Sequence, residues 1–141
     1  MVTKEELVSF FQNDFPQADV IIEDIGEKSA TIRKTISHDH LRPGGTVSGP
    51  VLMEIADVAL YAAILSEIGL VALAVTTNLS INFLRKPSAA KDIIAKSKLI
   101  KVGKLLVIGE VSIYSEGSSE LVAHAVGTYA IPPSNVVNRI R

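Results

Sequence analysis

The sequence predicts an α+β fold in which one antiparallel sheet wraps around one buried helix. The first observation is a segment, residues 51–65, that is apolar on every side and therefore predicts a central helix. The second is the order of the elements, α-β-β-α-β-β-β-β, with four long strands after that helix. The third is that no repeat, low-complexity tract or linker divides the 141 residues. We therefore predict one domain over residues 1–141.

The first third of the chain predicts a short helix and a pair of strands. Thr3-Lys-Glu-Glu6 has the form of a capping box, and Leu7, Phe10 and Phe11 give the helix an apolar stripe. Pro16 ends that helix, which we expect to cover an edge of the sheet. The strands are predicted over residues 18–25 and 28–36, with a tight turn between them and a loop afterwards to residue 47.

Four strands are predicted after the central helix, which we place at about residues 49–66. In one of them Ile93, Ala95, Ser97 and Leu99 alternate with a more polar set, which is typical of a sheet covered on one face. The last strand is apolar on both faces, and we expect a second subunit to cover its outer face. The predicted bounds are 71–86, 91–102, 104–115 and 119–131.

Composition excludes several classes of function. Fourteen basic and fifteen acidic residues give a net charge of −1, which argues against a protein that coats nucleic acid. The absence of cysteine excludes disulfides, a thiol nucleophile and a cysteine metal site. The early residues lack the pattern of a secretion signal and no stretch has the length of a membrane span, so we expect a cytoplasmic protein. With 48% hydrophobic residues, the chain is expected to form a homo-oligomer.

The most informative motif is Arg42-Pro-Gly-Gly-Thr-Val-Ser-Gly-Pro50, which leads directly into the central helix. Ser48 is predicted to cap that helix, so the N–H of Gly49 is free to attract an electron-rich oxygen. Asp57 follows within the apolar segment, where an unpaired carboxylate costs several kcal/mol. It therefore either bonds to backbone groups, pairs with Arg42, or is retained for catalysis.

These residues resemble the hotdog-fold acyl-CoA thioesterases of the phenylacetate-degradation type. The family pattern is Asn-x-x-Gly-x-x-His-Gly-Gly, followed by a helix with an Asp or Glu and by a strand that begins near a Ser or Thr. This chain has Gly45, Gly49, Asp57 and Thr76 in matching places. It departs from the pattern at three positions, with Arg42 for the usual Asn, Ser48 for His and Pro50 for the second Gly.

The resemblance implies hydrolysis of an acyl-CoA to a free acid and coenzyme A at a subunit interface of a homodimer or homotetramer, with no metal and no cofactor. The Gly49 N–H then holds the thioester oxygen, and Asp57 acts as general base or nucleophile. Thr76 is expected to come from the opposing subunit and to orient the water or the carboxylate. Ser48 as a nucleophile lacks a histidine at an identifying spacing, so it is expected to act as a cap.

The departures leave the role of Arg42 and the activity open. A guanidinium only donates hydrogen bonds, so Arg42 either pairs with Asp57, holds a substrate oxygen, or faces solvent. One alternative function is a catalytically weak acyl-CoA-binding protein. The other is a hotdog hydratase or dehydratase, which the absence of histidine from the helix argues against. Nothing in the sequence names the acyl group.

Other polar residues are candidates for binding. Glu54 lies three residues before Asp57 and can share its helix face. His38-Asp-His40 lacks a third ligand at a suitable spacing, so no metal site is predicted. The phosphates of coenzyme A need cationic partners, and four basic residues lie at strand ends where the family's groove opens: Arg85, Lys86, Lys101 and Lys104.

Overall fold

The computed structural model describes residues 2–133, which form two helices and a large antiparallel sheet. The elements are α1 (Lys4–Asp14), β1 (Ile21–Gly26), β2 (Ser29–Lys34), β3 (Leu41–Arg42), β4 (Thr46–Val47), α2 (Gly49–Ile68), β5 (Val75–Phe83), β6 (Ile93–Val102), β7 (Leu106–Ser115) and β8 (Leu121–Ala130). Six strands form the sheet in the order β1-β2-β6-β7-β8-β5, and every neighbouring pair is antiparallel. This architecture confirms the predicted α+β fold.

The bounds of α2 follow from its caps. The Ser48 side chain accepts a hydrogen bond from the Val51 N–H at 3.4 Å, which confirms the predicted cap, and Pro50 stands in the first turn. At the other end Gly69 has a φ of 110° and its N–H bonds to the Leu65 carbonyl. The helix therefore extends two residues beyond the predicted end.

The core lies between α2 and the inner face of the sheet. The predicted alternation in β6 is confirmed, because Ile93, Ala95, Ser97 and Leu99 are all buried. Ser97 also connects the two layers, since its hydroxyl donates a hydrogen bond to the Ala59 carbonyl at 2.7 Å. A buried hydroxyl is tolerated here because it has a partner.

Two glycines let the helix approach the sheet closely. Gly109 of β7 and Gly127 of β8 are paired across the strands, and Leu60 of α2 lies over both. A Cβ at Gly109 or Gly127 would stand 2.7 or 2.6 Å from a methyl carbon of Leu60. The absence of side chains at this pair therefore sets how close α2 lies to the sheet.

Several predicted strand bounds were wrong because local turns intervene. A 3-10 turn at Pro16–Ala18 and a left-handed Asp19, with φ of 49°, delay β1 to residue 21. A turn in which the Ala74 N–H bonds to the Val71 carbonyl delays β5 to residue 75. The predicted loop before α2 contains the short ribbon of β3 and β4. The remaining strands lie within the predicted ranges.

The prediction that α2 is buried on every side is wrong along one stripe. Met53 is 38% exposed, Glu54 is exposed, and Asp57 and Tyr61 are half-buried. These positions recur at helical spacing, so they form one line along the helix. The sheet covers the opposite side of α2, and α1 packs against Tyr61 through Phe10 and Phe11. We call this line the open stripe.

The two edges of the sheet differ. The edge strand β1 packs against α1, as predicted, whereas β5 pairs only with β8 and carries exposed apolar side chains. Val75 and Phe83 are 54% and 52% exposed. The outer face of β8 leaves Val126 exposed, and its cover by a second subunit stays a prediction.

Within residues 2–133, neither helix combines the length and apolar character that crossing a bilayer requires.

Candidate active site

Asp57 lies on the open stripe of α2, and two hydroxyl groups bond to it. Thr76, near the start of β5, donates a hydrogen bond to Asp57 Oδ1 at 2.6 Å. Tyr129, near the end of β8, donates to the same oxygen at 2.6 Å and lies 3.0 Å from the Asp57 backbone carbonyl oxygen. Thr76 and Tyr129 are partners in the sheet register, so strand pairing brings both hydroxyls to one carboxylate.

The Thr76 contact corrects one expectation. Thr76 was predicted to reach the site from an opposing subunit, but it bonds to Asp57 of its own chain. The reason is topological. The chain leaves α2 through a short turn and enters β5, which returns beside the helix and places its second residue level with Asp57. The three-residue group of Asp57, Thr76 and Tyr129 therefore forms within one chain.

Tyr129 was not identified from the sequence as a site residue. It occupies an inward-facing position of β8 and is only 3% exposed. Burial, and then the charge of Asp57, raise the pKa of Tyr129 above its ordinary value of 10.0. The phenol therefore keeps its proton and acts as a donor. The sequence did contain an indication of this role, because a tyrosine at an inward-facing position of a strand needs a buried hydrogen-bond partner for its hydroxyl.

A cavity of about 460 Å³ opens beside the Asp57 group. Asp57, Thr76 and Tyr129 line it, and an aromatic wall closes one side. The wall consists of Phe10 and Phe15, from α1 and the residue after it, and Tyr61 of α2, which stacks on Tyr129 with ring centres 6.1 Å apart. The carboxylate thus borders an apolar space of the size that small-molecule sites have.

The loop before α2 is separate from this group. Arg42 is exposed and donates a hydrogen bond to Thr46 Oγ1 at 3.2 Å. Within residues 2–133 no ion pair joins Arg42 to Asp57, so the predicted alternative of a pair inside one chain is not observed. Ser48 is engaged as the helix cap. The Gly49 N–H donates no hydrogen bond within the described chain, and it is therefore available to a ligand.

Gly49 and Asp57 are far apart on the same helix. Asp57 follows Gly49 by eight residues, which at the rise of an α-helix is about 12 Å along the axis. A carbonyl group that accepts from the Gly49 N–H therefore cannot also lie next to the Asp57 carboxylate of the same chain. One chain holds two parts of a site at a distance from each other.

The four predicted cations do not form one cluster. The strand register places Arg85 and Lys86 beyond the end of β5, beside the start of β8. Lys101, near the end of β6, and Lys104, just beyond that strand, lie at the opposite end of the sheet, near the pairing of β7 with the end of β8. The expectation of a single groove mouth is therefore wrong for one chain. Arg85 is also engaged by Glu120 at 2.7 Å.

The remaining polar candidates lie beside the site. Glu54 is exposed on the open stripe and borders a small cavity with Lys34 and His40. His40 Nδ1 accepts a hydrogen bond from the Ser37 N–H at 2.9 Å, which is a local turn contact. Among the residues that the structure describes, no three His, Asp or Glu side chains gather in a way that suits a metal ion.

Comparison with known proteins identifies the family. The profile of the thioesterase superfamily matches residues 44–122. No curated protein shows a significant match. A solved structure of a protein from Silicibacter sp. TM1040, assigned as a thioesterase, is 40% identical with a TM-score of 0.87 and covers 94% of each chain.

More distant structures show the same fold. The PaaI protein of the E. coli phenylacetic acid degradation operon is 21% identical, with a TM-score of 0.80 and coverage of 92% of both chains. Thioesterase superfamily member 2 of zebrafish is 17% identical, with a TM-score of 0.81, and covers 94% of this chain and 100% of its own. The profile match and the closely similar structure agree with the motif of residues 42–50 and with the sheet around α2. The chain therefore belongs to the thioesterase superfamily and has the hotdog fold of the PaaI-like type.

Proposed function

We propose that the protein hydrolyses acyl-CoA thioesters to a free acid and coenzyme A. The observation that carries the proposal is the Asp57 carboxylate, held by two hydroxyls on the open stripe and next to a cavity. Within residues 2–133 no cationic side chain pairs with this carboxylate, so an ion pair does not account for its presence in an apolar helix. Membership of the thioesterase superfamily suggests thioester hydrolysis, a reaction in which the Asp57 carboxylate can act as the base.

In the proposed reaction Asp57 acts as general base. It takes a proton from a water molecule, and the water oxygen attacks the thioester carbonyl carbon. The negative charge that develops on the carbonyl oxygen is stabilised by the N–H of Gly49 at the start of α2. The C–S bond then breaks, the proton passes from Asp57 to the departing thiolate, and the free acid and the thiol leave.

The proposed site is composite, with Asp57 from one subunit and Gly49 from another. The distance of about 12 Å between them along α2 supports this arrangement, because one carbonyl group cannot contact both in a single chain. The free edge of β5, with Val75 and Phe83 exposed, is the surface we propose for the dimer contact. Phe83 also lies against Gly49, so a contact along β5 lies beside the helix start.

The same arrangement accounts for the divided cations. Arg85 and Lys86 share the Phe83 end of the sheet with Gly49, whereas Lys101 and Lys104 share the Thr76 end with Asp57. In a composite site each pair belongs to a different subunit, and the phosphates of coenzyme A bind to one of them. The acyl group enters the aromatic-walled cavity next to Asp57.

A thiol-release assay over short, long and aromatic acyl-CoAs tests the proposal. We expect turnover on at least one of them and its loss in Asp57→Asn, while Asp24→Asn, the same change on the opposite edge strand, retains it. Tight binding of acyl-CoA without thiol release by the wild type would instead favour the acyl-CoA-binding alternative. Turnover that survives in Asp57→Asn would contradict the assignment of the base.

A further inference from the structure

The two oxygens of the Asp57 carboxylate have different surroundings. Oδ1 accepts hydrogen bonds from both Thr76 and Tyr129 at 2.6 Å. Oδ2 accepts none within residues 2–133. In that part of the chain every fully buried side-chain nitrogen or oxygen has a hydrogen-bond partner. An unpartnered Oδ2 on a half-buried residue is therefore accessible to solvent, at the cavity that Asp57 lines.

The two donors also differ from each other. Thr76 is exposed on the edge strand β5. Tyr129 is buried in the interior of the sheet, and its ring is stacked on Tyr61. The Tyr61 hydroxyl is itself fixed by a hydrogen bond to the Ala72 carbonyl at 3.1 Å. Tyr129 is thus the rigid donor of the pair.

The Tyr129 hydroxyl is close to both the side chain and the main chain of Asp57. It lies 2.6 Å from Oδ1 and 3.0 Å from the backbone carbonyl oxygen of the same residue. A rigid donor at this place fixes the rotation of the carboxylate about its own axis. Because burial keeps the pKa of Tyr129 raised, the phenol stays protonated and does not compete with Asp57 as a base.

We propose that Tyr129 is a positioning residue that holds Oδ1 and thereby presents Oδ2 as the oxygen that takes the proton from water. The proposal rests on the proposed function, in which Asp57 is the base. It assigns a role to a residue outside the loop-helix-strand motif on which the family resemblance was based. Tyr129 touches Asp57 and acts only through it.

Steady-state kinetics of Tyr129→Phe on the best acyl-CoA of the panel test this role. Loss of one hydrogen bond to a charged group is expected to lower kcat about tenfold or more. The KM is expected to stay within about twofold, since the ring remains and only the orientation of the base is lost. Tyr114→Phe, the same deletion on the outer face of the sheet, is the matched control and is expected to leave both constants unchanged.

A double mutant separates positioning from a general structural effect. In the Asp57→Asn background, Tyr129→Phe is expected to cause no further loss of the residual rate, because there is no base to orient. An equal fractional loss in both backgrounds, or a wild-type kcat in Tyr129→Phe, would overturn the inference. If Tyr129→Phe does not fold, proton NMR of the wild type replaces it. A hydrogen-bonded phenolic proton that shifts in Asp57→Asn is then expected, and its absence overturns the inference.

The outcomes separate the two proposals. Full turnover in Asp57→Asn, or no turnover by the wild type on any thioester, would overturn the proposed function and this inference with it. An inactive Asp57→Asn together with an unchanged Tyr129→Phe would overturn only the role of Tyr129.

Discussion

Two regions of the molecule carry the candidate chemistry, and they differ in how complete they are. The group of Asp57, Thr76 and Tyr129 is joined by short hydrogen bonds within one chain. The loop from Arg42 to Gly49 has its own local bonds and none to that group. The first region is built by strand pairing and the second by the start of a helix. The first is a hydrogen-bonded group around a carboxylate, whereas the second offers the unpaired N–H of Gly49 and the exposed guanidinium of Arg42.

Because of this difference, substitutions in the two regions are expected to act under different conditions. A change in the bonded group alters a fixed geometry, so its effect is expected within each chain. A change in the loop leaves that geometry intact and is expected to act only when substrate or a second subunit is present.

The largest effect is expected from Asp57→Asn. The amide keeps the shape of the side chain but cannot accept the proton from water, so kcat/KM is expected to fall by about a thousandfold. Circular dichroism and binding of free coenzyme A are expected to be unchanged, because Thr76 and Tyr129 still have an acceptor oxygen. A large loss of melting temperature would show instead that the carboxylate serves the structure.

Arg42→Asn is expected to have a smaller effect, which tests whether the loop acts on substrate. If the guanidinium holds a substrate oxygen, its loss removes a hydrogen bond between charged or polar groups and raises KM about tenfold. Both kinetic constants are measured for the wild type and the variant. A higher kcat would mean that Arg42 restrains the partner subunit's carboxylate, and unchanged constants would mean that it faces solvent.

Alkaline pH provides a test of the bonded group that does not require substrate. The pKa values of Tyr129 and Tyr61 are raised by burial, so the folded protein keeps these protons above pH 10 while the unfolded chain releases them. The contribution of these groups to the free energy of unfolding is constant below pH 10 and falls above it, by up to about 1.4 kcal/mol per pH unit for Tyr129 and by less for the partly exposed Tyr61. Urea unfolding between pH 9 and 11 is expected to show a shallower fall in Tyr129→Phe. Equal slopes would place the Tyr129 phenol in contact with water.

The smallest effect is expected from Ser48→Ala. The hydroxyl caps α2, and its loss is expected to cost about 1 kcal/mol of stability. Thermal unfolding measures this loss, and Ser9→Ala in α1, where the hydroxyl only accepts from Asn13, is the control. Complete loss of turnover with normal stability would show that Ser48 is a nucleophile after all.

Much of the fold was predictable from the sequence because it depends on periodicity. The alternation in β6 and the apolar central segment specify a sheet around a helix whatever the loops do. The open stripe was not predictable, since Met53 is apolar and its exposure depends on what the rest of the fold leaves uncovered. The bounds of β1 failed for a local reason, the left-handed Asp19, which the sequence does not mark.

The site was predictable only in part. Asp57 stood out as a carboxylate in an apolar helix, and Thr76 was found through the family pattern. Tyr129 was missed because its partner lies 72 residues away in sequence, and only the register of β5 with β8 brings them together. The prediction that Arg85, Lys86, Lys101 and Lys104 share one groove mouth failed for the same reason. The sequence places each residue near a strand end, but it does not show at which end of the sheet that strand end lies.

The paired glycines under Leu60 have a consequence for the order of folding. The space that Leu60 occupies is present only when Gly109 and Gly127 are paired across β7 and β8. We therefore expect α2 to pack fully against the sheet only after these two strands have paired. Asp57 is one turn from Leu60 on the same helix, and it meets Tyr129 only in the docked position. We therefore expect the Asp57 group to form late, as the step that follows sheet closure, and a chain arrested before that step to contain the sheet without the carboxylate in place.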